Sequence, residues 1–359
     1  MSVEDSLDEL AHLASAAGAI VVDRVSQLLQ KPSRTYVGTG KLEELRDTAR
    51  DDRVDVVIFD DELQPSQQRA LEDALGVKVI DRSGLILDVF AARARTREGK
   101  LQTDLAQSEY LLPRLAGQWA HLERLGGGIG TRGPGEAQIE TDRRIVRSKI
   151  ARLRRELEHV REHRARQRRN RAQGETRIVD LVGYTNAGKS MLFNRLTDSA
   201  VIARDQLFST LDPTTRKVFL PSGTPAVLTD TVGFIHKLPP IVVAAFQATL
   251  EELREADLLL HVIDISHPLA ARHAAVVEGI LGDLGLTDIP RIAVLNKVDL
   301  VSDQPTAEVP AWARALAGHQ TAVATSAALG WGVTRLRHVI EDELLGGGLV
   351  AGEPRASTA

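Results

Sequence analysis

The chain contains no cysteine. Disulfides, thiolate metal sites and cysteine nucleophiles are therefore excluded together. Aromatic residues make up only 4% of it, too few to build stacking platforms for single-stranded nucleic acid. Long hydrophobic runs are missing as well. The longest, Leu258 to Ile265, is interrupted by His261 and Asp264, well short of the roughly 20 apolar residues that a membrane helix needs. Residues Met1 to Gly18 are acidic and lack a cationic stretch followed by an apolar one, which argues against a secretory signal. The expectation is a cytoplasmic protein without a membrane span.

What is present is ordinary for a globular chain. Its 359 residues are 43% hydrophobic and 26% charged, enough for about two domains with cores of their own. The net charge of −4 conceals an asymmetry, because Arg143 to Arg171 holds thirteen Lys/Arg against three Glu. A basic block on an otherwise acidic chain suits a polyanionic partner.

Hydrophobic spacing divides the chain into an α/β fold of three parts and a tail. Residues 1–82 read as a small α/β domain. Leu7, Leu10, Ala11, Leu13 and Ala14 fall at helical spacing, and the apolar run Ala19 to Val22 follows. Gly38-Thr39-Gly40 opens a helix over Lys41 to Arg50. Buried strands are expected at Val54 to Phe59 and Val77 to Ile80, with a helix from Ser66 to Leu75 between them. No apolar run precedes the first helix, so an opening strand is missing and the chain is expected to start short.

Residues 83–172 read as a basic helical hairpin. A helical pattern over Ser83 to Leu122 is joined to another over Gln138 to Ala172 by residues 126–135, which hold six glycines. So many glycines cost too much backbone entropy for a helix or a strand. The second helix carries the apolar stripe Ile139, Ile145, Val146, Ile150, Leu153, Leu157 and Val160 on a basic background. Residues 176–345 alternate strands (Ile178 to Val182, Val227 to Thr229, Leu258 to Ile263, Ile292 to Leu295 and Ala322 to Ala324) with helices. That order implies a mostly parallel, doubly wound sheet. Residues 346–359 form a Gly-, Pro- and Ser-rich tail expected to be disordered.

The chemistry lies in the third part. Gly183-Tyr184-Thr185-Asn186-Ala187-Gly188-Lys189-Ser190 fills every fixed position of a P-loop, with a strand before it and a helix after it. Backbone N–H groups would surround phosphate oxygens, Lys189 would reach the β and γ phosphates, and the Ser190 hydroxyl would bind Mg²⁺. Asp230-Thr231-Val232-Gly233 follows the next strand. There Asp230 is a candidate Mg²⁺ ligand and the Gly233 N–H a γ-phosphate sensor. Alone that tetrapeptide is as often an ordinary turn.

Asn296-Lys297-Val298-Asp299 closes a further strand, at the end where open sheets bind ligands. The Asp299 carboxylate can accept two N–H bonds from guanine, while adenine offers no such donor pair. Asn296 can meet N7, and the Lys297 stem can cover the base. In isolation Asn296 or Asp299 would pass for a helix cap. Thr325-Ser326-Ala327 supplies a last base contact through the Ala327 N–H. GTP and GDP are the ligands these residues imply, with Lys189, Asp230 and Gly233 carrying the hydrolytic chemistry.

These four motifs in this order resemble the translation-factor branch of P-loop GTPases. The block Gly127 to Arg144, with Asp-Thr-Val-Gly-Phe-Ile at 230–235 and Phe-Ser-Thr-Leu-Asp-Pro-Thr at 208–214, closely resembles the HflX family of ribosome-associated GTPases. The similarity runs through nearly the whole chain. It implies that Phe208, Ser209, Thr210, Leu211 and Asp212 form a switch over the nucleotide. By spacing alone Thr210, Thr214 or Thr215 can complete the Mg²⁺ shell. Relatives place that threonine in a Phe-x-Thr-Leu element, which points to Thr210, with Thr214 as the alternative.

The residue after Gly233 is Phe234, where Ras-type enzymes use a water-orienting Gln. A phenyl ring cannot orient water, so intrinsic hydrolysis is expected to be slow and partner-stimulated. Asn186 resembles the P-loop asparagine of cation-activated GTPases, making K⁺ a candidate second cation. The family implies a monomer acting on the large ribosomal subunit, splitting or rescuing ribosomes. Ribosomal RNA contacts fall on Gly128 and Arg132 of the glycine-rich loop and on Arg143, Arg144, Arg147, Arg152, Arg154 and Arg155. The alternatives are an assembly factor acting on another structured RNA and a GTP sensor without turnover. A charge run is also, often, only a solvated face. Gly38-Thr39-Gly40-Lys41 reads as a helix-opening turn, and His12, His121, His159, His163, His236, His261 and His267 show no metal-ligand spacing.

Overall fold

The computed structural model describes residues 2–29, 33–115, 134–171, 176–199, 207–208, 210–244, 252–304, 311–318 and 320–346, excepting the side chains of 134–137 and 161–171. Its contacts form two compact units: Met1–His163 with Leu238–Phe246, and Arg164–Lys237 with Gln247–Ala359.

In the first unit α1 (Val3–Ala16) starts at a capping box. The Ser2 hydroxyl accepts the Asp5 N–H at 3.0 Å, and the Asp5 carboxylate accepts the Ser2 N–H at 2.9 Å. Its buried face carries Leu10, Leu13 and Ala14. The apolar run after it joins neither helix nor strand, and Ile20 and Val22 are exposed. Helix α2 (Thr39–Asp51) opens at Gly38. Strands β1 (Val56–Phe59) and β2 (Lys78–Asp81) pair in parallel across α3 (Pro65–Leu75), with Val57 opposite Val79. β1 is half-buried along its length rather than the buried strand expected, whereas its partner β2 is buried from Val79 to Asp81.

The helical pattern expected over 83–122 breaks into α4 (Arg82–Arg93) and α5 (Arg97–Leu111). Thr96 explains the break, since its hydroxyl accepts the Gly99 N–H at 3.0 Å and caps the second helix. Asp81 caps the first by accepting the Gly84 N–H at 2.9 Å, and also accepts from Tyr110 and Arg114, each at 2.9 Å. Arg82 is buried between Glu9 and Asp60. Helix α6 (Pro134–Arg171) begins two residues inside the expected loop, and proline at a first helical position needs no N–H partner. Ile139, Ile150, Leu153 and Leu157 form its buried stripe, whereas Ile145 is 60% exposed and points away from it. Residues 126–133, with Gly128 and Arg132, lie outside the described residues, as does the tail from 347 onward.

The second unit is a six-stranded sheet in the order β4-β5-β3-β6-β7-β8. Its strands are β3 (Arg177–Gly183), β4 (Thr214–Phe219), β5 (Pro225–Asp230), β6 (Leu258–Asp264), β7 (Arg291–Asn296) and β8 (Thr321–Ala324). All run parallel except β4, an antiparallel edge strand absent from the sequence reading. Leu181, Leu260, Val262 and Val294 pack with Leu192 and Phe193 of α7 (Lys189–Thr197) and with Leu336 and Ile340 of α10 (Val333–Leu344). Ile263 and Leu295 pack with α8 (Ala270–Asp283) and α9 (Ala311–Ala317). Successive strands lie on opposite sides of β3, so the chain reverses direction across the sheet there. Open sheets bind ligands outside the carboxyl ends of their strands at such a point. Among the described residues no helix is long and apolar enough to cross a membrane.

Candidate nucleotide site at the carboxyl ends of the strands

The segment leaving β3 turns back on itself and enters α7. Gly188, at φ +94°, sits against Asn296 so closely that a Cβ there would collide with the Asn296 Nδ2. Lys189 is buried, and its ammonium donates to the carbonyls of Gly183 at 3.0 Å and Tyr184 at 2.9 Å. Burial pulls its pKa down to about 8, with the nearby Asp230 carboxylate acting in the opposite direction. The loop and the first turn of α7 offer backbone N–H groups beside this cation, the arrangement that receives phosphate.

Three oxygen-bearing side chains converge beside it. The Ser190 hydroxyl lies 2.7 Å from the Thr210 hydroxyl and donates to Asp230 Oδ2 at 2.6 Å, and Thr210 donates to the same oxygen at 2.9 Å. Asp230 is fully buried, and burial raises its carboxyl pKa against the opposing pull of Ser190, Lys189 and Thr210. Its second oxygen, Oδ1, is buried without a hydrogen-bond partner. Two hydroxyls and a carboxylate with an uncommitted oxygen fit Mg²⁺, a hard cation that prefers such ligands. Mg²⁺ would be held there by Ser190, Thr210 and Asp230 and would neutralise phosphate charge. Of the three candidate threonines only Thr210 reaches this cluster. Thr214 and Thr215 begin the edge strand β4, opposite Asp230 and Thr229. Ser209 lies outside the described residues.

At the other end of the cleft the Asn296 side chain ties the phosphate loop to the segment after β8, using one of its two amide N–H donors. Its Nδ2 donates to the Ala187 carbonyl at 2.9 Å, and its Oδ1 accepts the Ala327 N–H at 3.0 Å and the Thr325 hydroxyl at 3.2 Å. The Ala327 N–H expected to meet the base is thus engaged by Asn296. Among the described residues Asp299 Oδ1 is buried with no hydrogen-bond partner, which leaves a carboxylate oxygen able to accept from a ligand. Lys297, at φ 63°, has its ammonium held by Asp264 at 2.7 Å.

The cleft encloses about 340 Å³ between Thr185, Lys189, Ser190, Thr210, Asn296 and Asp299. Asn186, Gly188, Phe208, Thr231, Gly233, Lys297 and Ala327 also line it, whereas Gly183, Tyr184, Ala187, Leu211, Asp212, Val232, Val298, Thr325 and Ser326 do not. Leu211 and Val298 are buried in packing, and the Ser326 hydroxyl accepts the Leu329 N–H at 3.0 Å. Sequence reasoning missed Asp264 and Arg195. Asp264 ends β6 at the same sheet end as the motifs, which was a usable signal. Arg195 on α7 holds the Ala327 carbonyl at 2.9 Å from 132 residues away, and no local pattern points to it.

Over 342 residues the chain is 49% identical to the GTPase HflX of Caldanaerobacter subterraneus subsp. tengcongensis, spanning 95% of this chain and 77% of that protein. It belongs to the HflX family of GTPases. The GTPase HflX of Escherichia coli is 47% identical over 300 residues, 83% of this chain and 71% of that one. Three family models follow one another along the sequence: GTP-binding GTPase N-terminal over residues 4–91, GTP-binding GTPase Middle Region over 93–171, and 50S ribosome-binding GTPase over 178–297. A GTP-binding protein from Sulfolobus solfataricus in complex with GDP shares the fold, with a TM-score of 0.50 and 23% identity over 96% of this chain and 97% of that one. Like its HflX relatives, the chain is a GTPase, and the second unit carries the hydrolytic P-loop domain.

The basic helix of this HflX-family chain is less free than its charge suggests. Arg154 pairs with Glu109 at 2.7 Å, Lys149 with Asp104 at 3.5 Å, Arg147 with Glu140 at 3.3 Å and Arg152 with Glu156 at 3.7 Å. Two of these pairs tie the helix to α5. Arg143, Arg144 and Arg155 make no ion pair among the described residues, and Arg144 and Arg155 are exposed. Eleven residues is close to three helical turns, so those two share one face.

Proposed function

We propose that this GTPase is a nucleotide-driven switch that associates with the large ribosomal subunit and splits or rescues stalled or idle ribosomes. The observation that carries the nucleotide part is the convergence, in one cleft, of the Lys189 ammonium, the Ser190–Thr210–Asp230 oxygen cluster and the unpartnered Asp299 carboxylate oxygen. In this reading backbone N–H groups of the phosphate loop, together with the Lys189 ammonium, hold the phosphates. Ser190, Asp230 and Thr210 hold Mg²⁺, Gly233 senses the γ phosphate, and Asp299 reads guanine. The ribosomal part is supported by the description of the family model over residues 178–297 and by the cationic helix. The chain acts as a monomer in the cytoplasm.

Phe234 is buried with its backbone bonded into the phosphate loop, so it positions no water. Hydrolysis is therefore slow until the ribosome orders the switch segments, and K⁺ beside Asn186 supplies charge that an arginine would supply elsewhere. Turnover measured with and without separated ribosomal subunits, in KCl and in NaCl buffers, tests both statements. Large subunits are expected to stimulate turnover at least tenfold and KCl to exceed NaCl. Stimulation by neither subunit would remove the ribosomal role, and equal rates in the two salts would remove K⁺.

Arg144 and Arg155 are the strongest candidates for RNA phosphate contacts on the helix, because they are exposed and unpaired. Arg144→Ala with Arg155→Ala is expected to weaken ribosome co-sedimentation and to flatten the slope of log affinity against log salt by about 2, roughly 1 per phosphate contact. Arg147→Ala with Arg154→Ala should change that slope less, since both are engaged by carboxylates. The reverse ranking would contradict this assignment.

A further inference from the structure

The segment after Asp230 is fastened to the phosphate loop by three hydrogen bonds. The Thr185 N–H donates to the Phe234 carbonyl at 2.7 Å, and the Phe234 N–H donates to the Gly183 carbonyl at 3.1 Å. The third uses a side chain: the His236 N–H donates to the Tyr184 hydroxyl at 2.8 Å. Tyr184 is buried, and its ring stacks on His273 of α8 with centroids 3.8 Å apart and planes 4° from parallel. His267 also lies against His273, with ring centroids 4.5 Å apart. None of the sequence motifs requires a tyrosine at position 184, and Tyr184 does not line the cleft.

The fastening has a consequence for the phosphate seat. A Cβ built on Gly233 would lie 2.8 Å from Thr185 Cγ2, 2.9 Å from Thr185 Cα and 3.0 Å from Lys189 Nζ, so that face of Gly233 admits nothing larger than hydrogen. Two of the three Lys189 ammonium donors meanwhile point at the Gly183 and Tyr184 carbonyls. Gly233 and Lys189 both line the cleft, so a terminal phosphate gripped by Lys189 and reached by the Gly233 N–H would press on the segment from Gly233 to Phe234. A diphosphate makes no such demand.

We propose that Tyr184 is a positioning residue that clasps Phe234 to His236 against the phosphate loop and so biases the free site toward GDP. Its hydroxyl holds the closed arrangement, and the His273 stack holds the ring. GTP must break the clasp, while GDP leaves it shut. This rests on the cleft being the GTP site.

The test measures GDP and a non-hydrolysable GTP analogue separately by fluorescence titration of Tyr184→Phe, which removes one oxygen and keeps the ring. The affinity for the GTP analogue is expected to rise about fivefold with GDP affinity unchanged, the worth of one neutral hydrogen bond. His273→Ala, which releases the stack, should shift the same ratio in the same direction. Hydrogen exchange at the His236 amide should be slow with GDP, faster with the GTP analogue, and fast in Tyr184→Phe with GDP. Equal shifts for both nucleotides, or no shift in either variant, would overturn the clasp. Absence of any guanine-nucleotide binding by the unaltered protein would instead overturn the site.

Discussion

Asp299→Asn is expected to lower affinity for GTP and GDP about 10²- to 10³-fold and to raise affinity for xanthine nucleotides. The carboxylate carries one buried oxygen without a hydrogen-bond partner and stands at the carboxyl end of β7 beyond the Asn296 tie. Guanine offers two adjacent N–H donors, and each hydrogen bond to a charged acceptor contributes roughly 1.5 to 3 kcal/mol. An amide in place of the carboxylate loses one acceptor and turns a donor toward a donor. Xanthine carries an oxygen at that position and accepts from the new amide. Competition against a fluorescent guanine nucleotide reads both changes, and an unaltered ratio of GTP to XTP affinity would remove Asp299 from base recognition.

Lys189 gives the second large effect. Lys189→Ala should cost at least about 10²-fold in GTP and GDP affinity, since a buried charged partner of a phosphate is lost. The titration of Lys189 supplies an independent signature. Burial holds its pKa near 8 in the free protein, and a bound phosphate stabilises the charged form and raises that value. Binding therefore takes up a proton above about pH 8: affinity is level below that pH and falls toward tenfold per unit above it. The stability of the free protein moves the other way. Unfolded lysine keeps its ordinary pKa near 10.4, so between about pH 8 and 10.5 the unfolded chain binds more protons and the folded protein gains stability as pH rises. Affinities measured from pH 7 to 9 for the unaltered protein and for Lys189→Ala separate this lysine from the other titrating groups. A slope that survives in the alanine variant would exclude it.

The sequence exposed those parts of the site whose chemistry is local. A phosphate loop must be glycine-rich, follow a strand and open a helix, so Gly183 to Ser190 and the order of the later motifs were legible from spacing. Spacing could not separate Thr210 from Thr214 and Thr215, because all three fall in one short stretch ahead of the strand legible at Val227 to Thr229. The difference is that β4 takes Thr214 and Thr215 into its ladder and leaves Thr210 beside Ser190. β4 itself escaped notice since an edge strand with Arg216 and Lys217 exposed lacks a buried face. The break between α4 and α5 hung on a single capping threonine inside a helical pattern. Asn296 to Ala187, Arg195 to Ala327 and Tyr184 to His273 each join residues about 90 or more apart in sequence, and such contacts exist only once the sheet has folded. The basic block was visible as charge, but its partial neutralisation by Asp104 and Glu109 was not.

The proposed function depends on one cleft, in which phosphates would be gripped at Lys189 and the base selected at Asp299. Calorimetric titration of the unaltered protein with GDP and with ADP, in the presence of Mg²⁺, measures this directly. GDP is expected to bind at least about 10²-fold more tightly than ADP, as two charge-assisted bonds to the base demand. Equal affinity for the two diphosphates would contradict the assignment of the cleft.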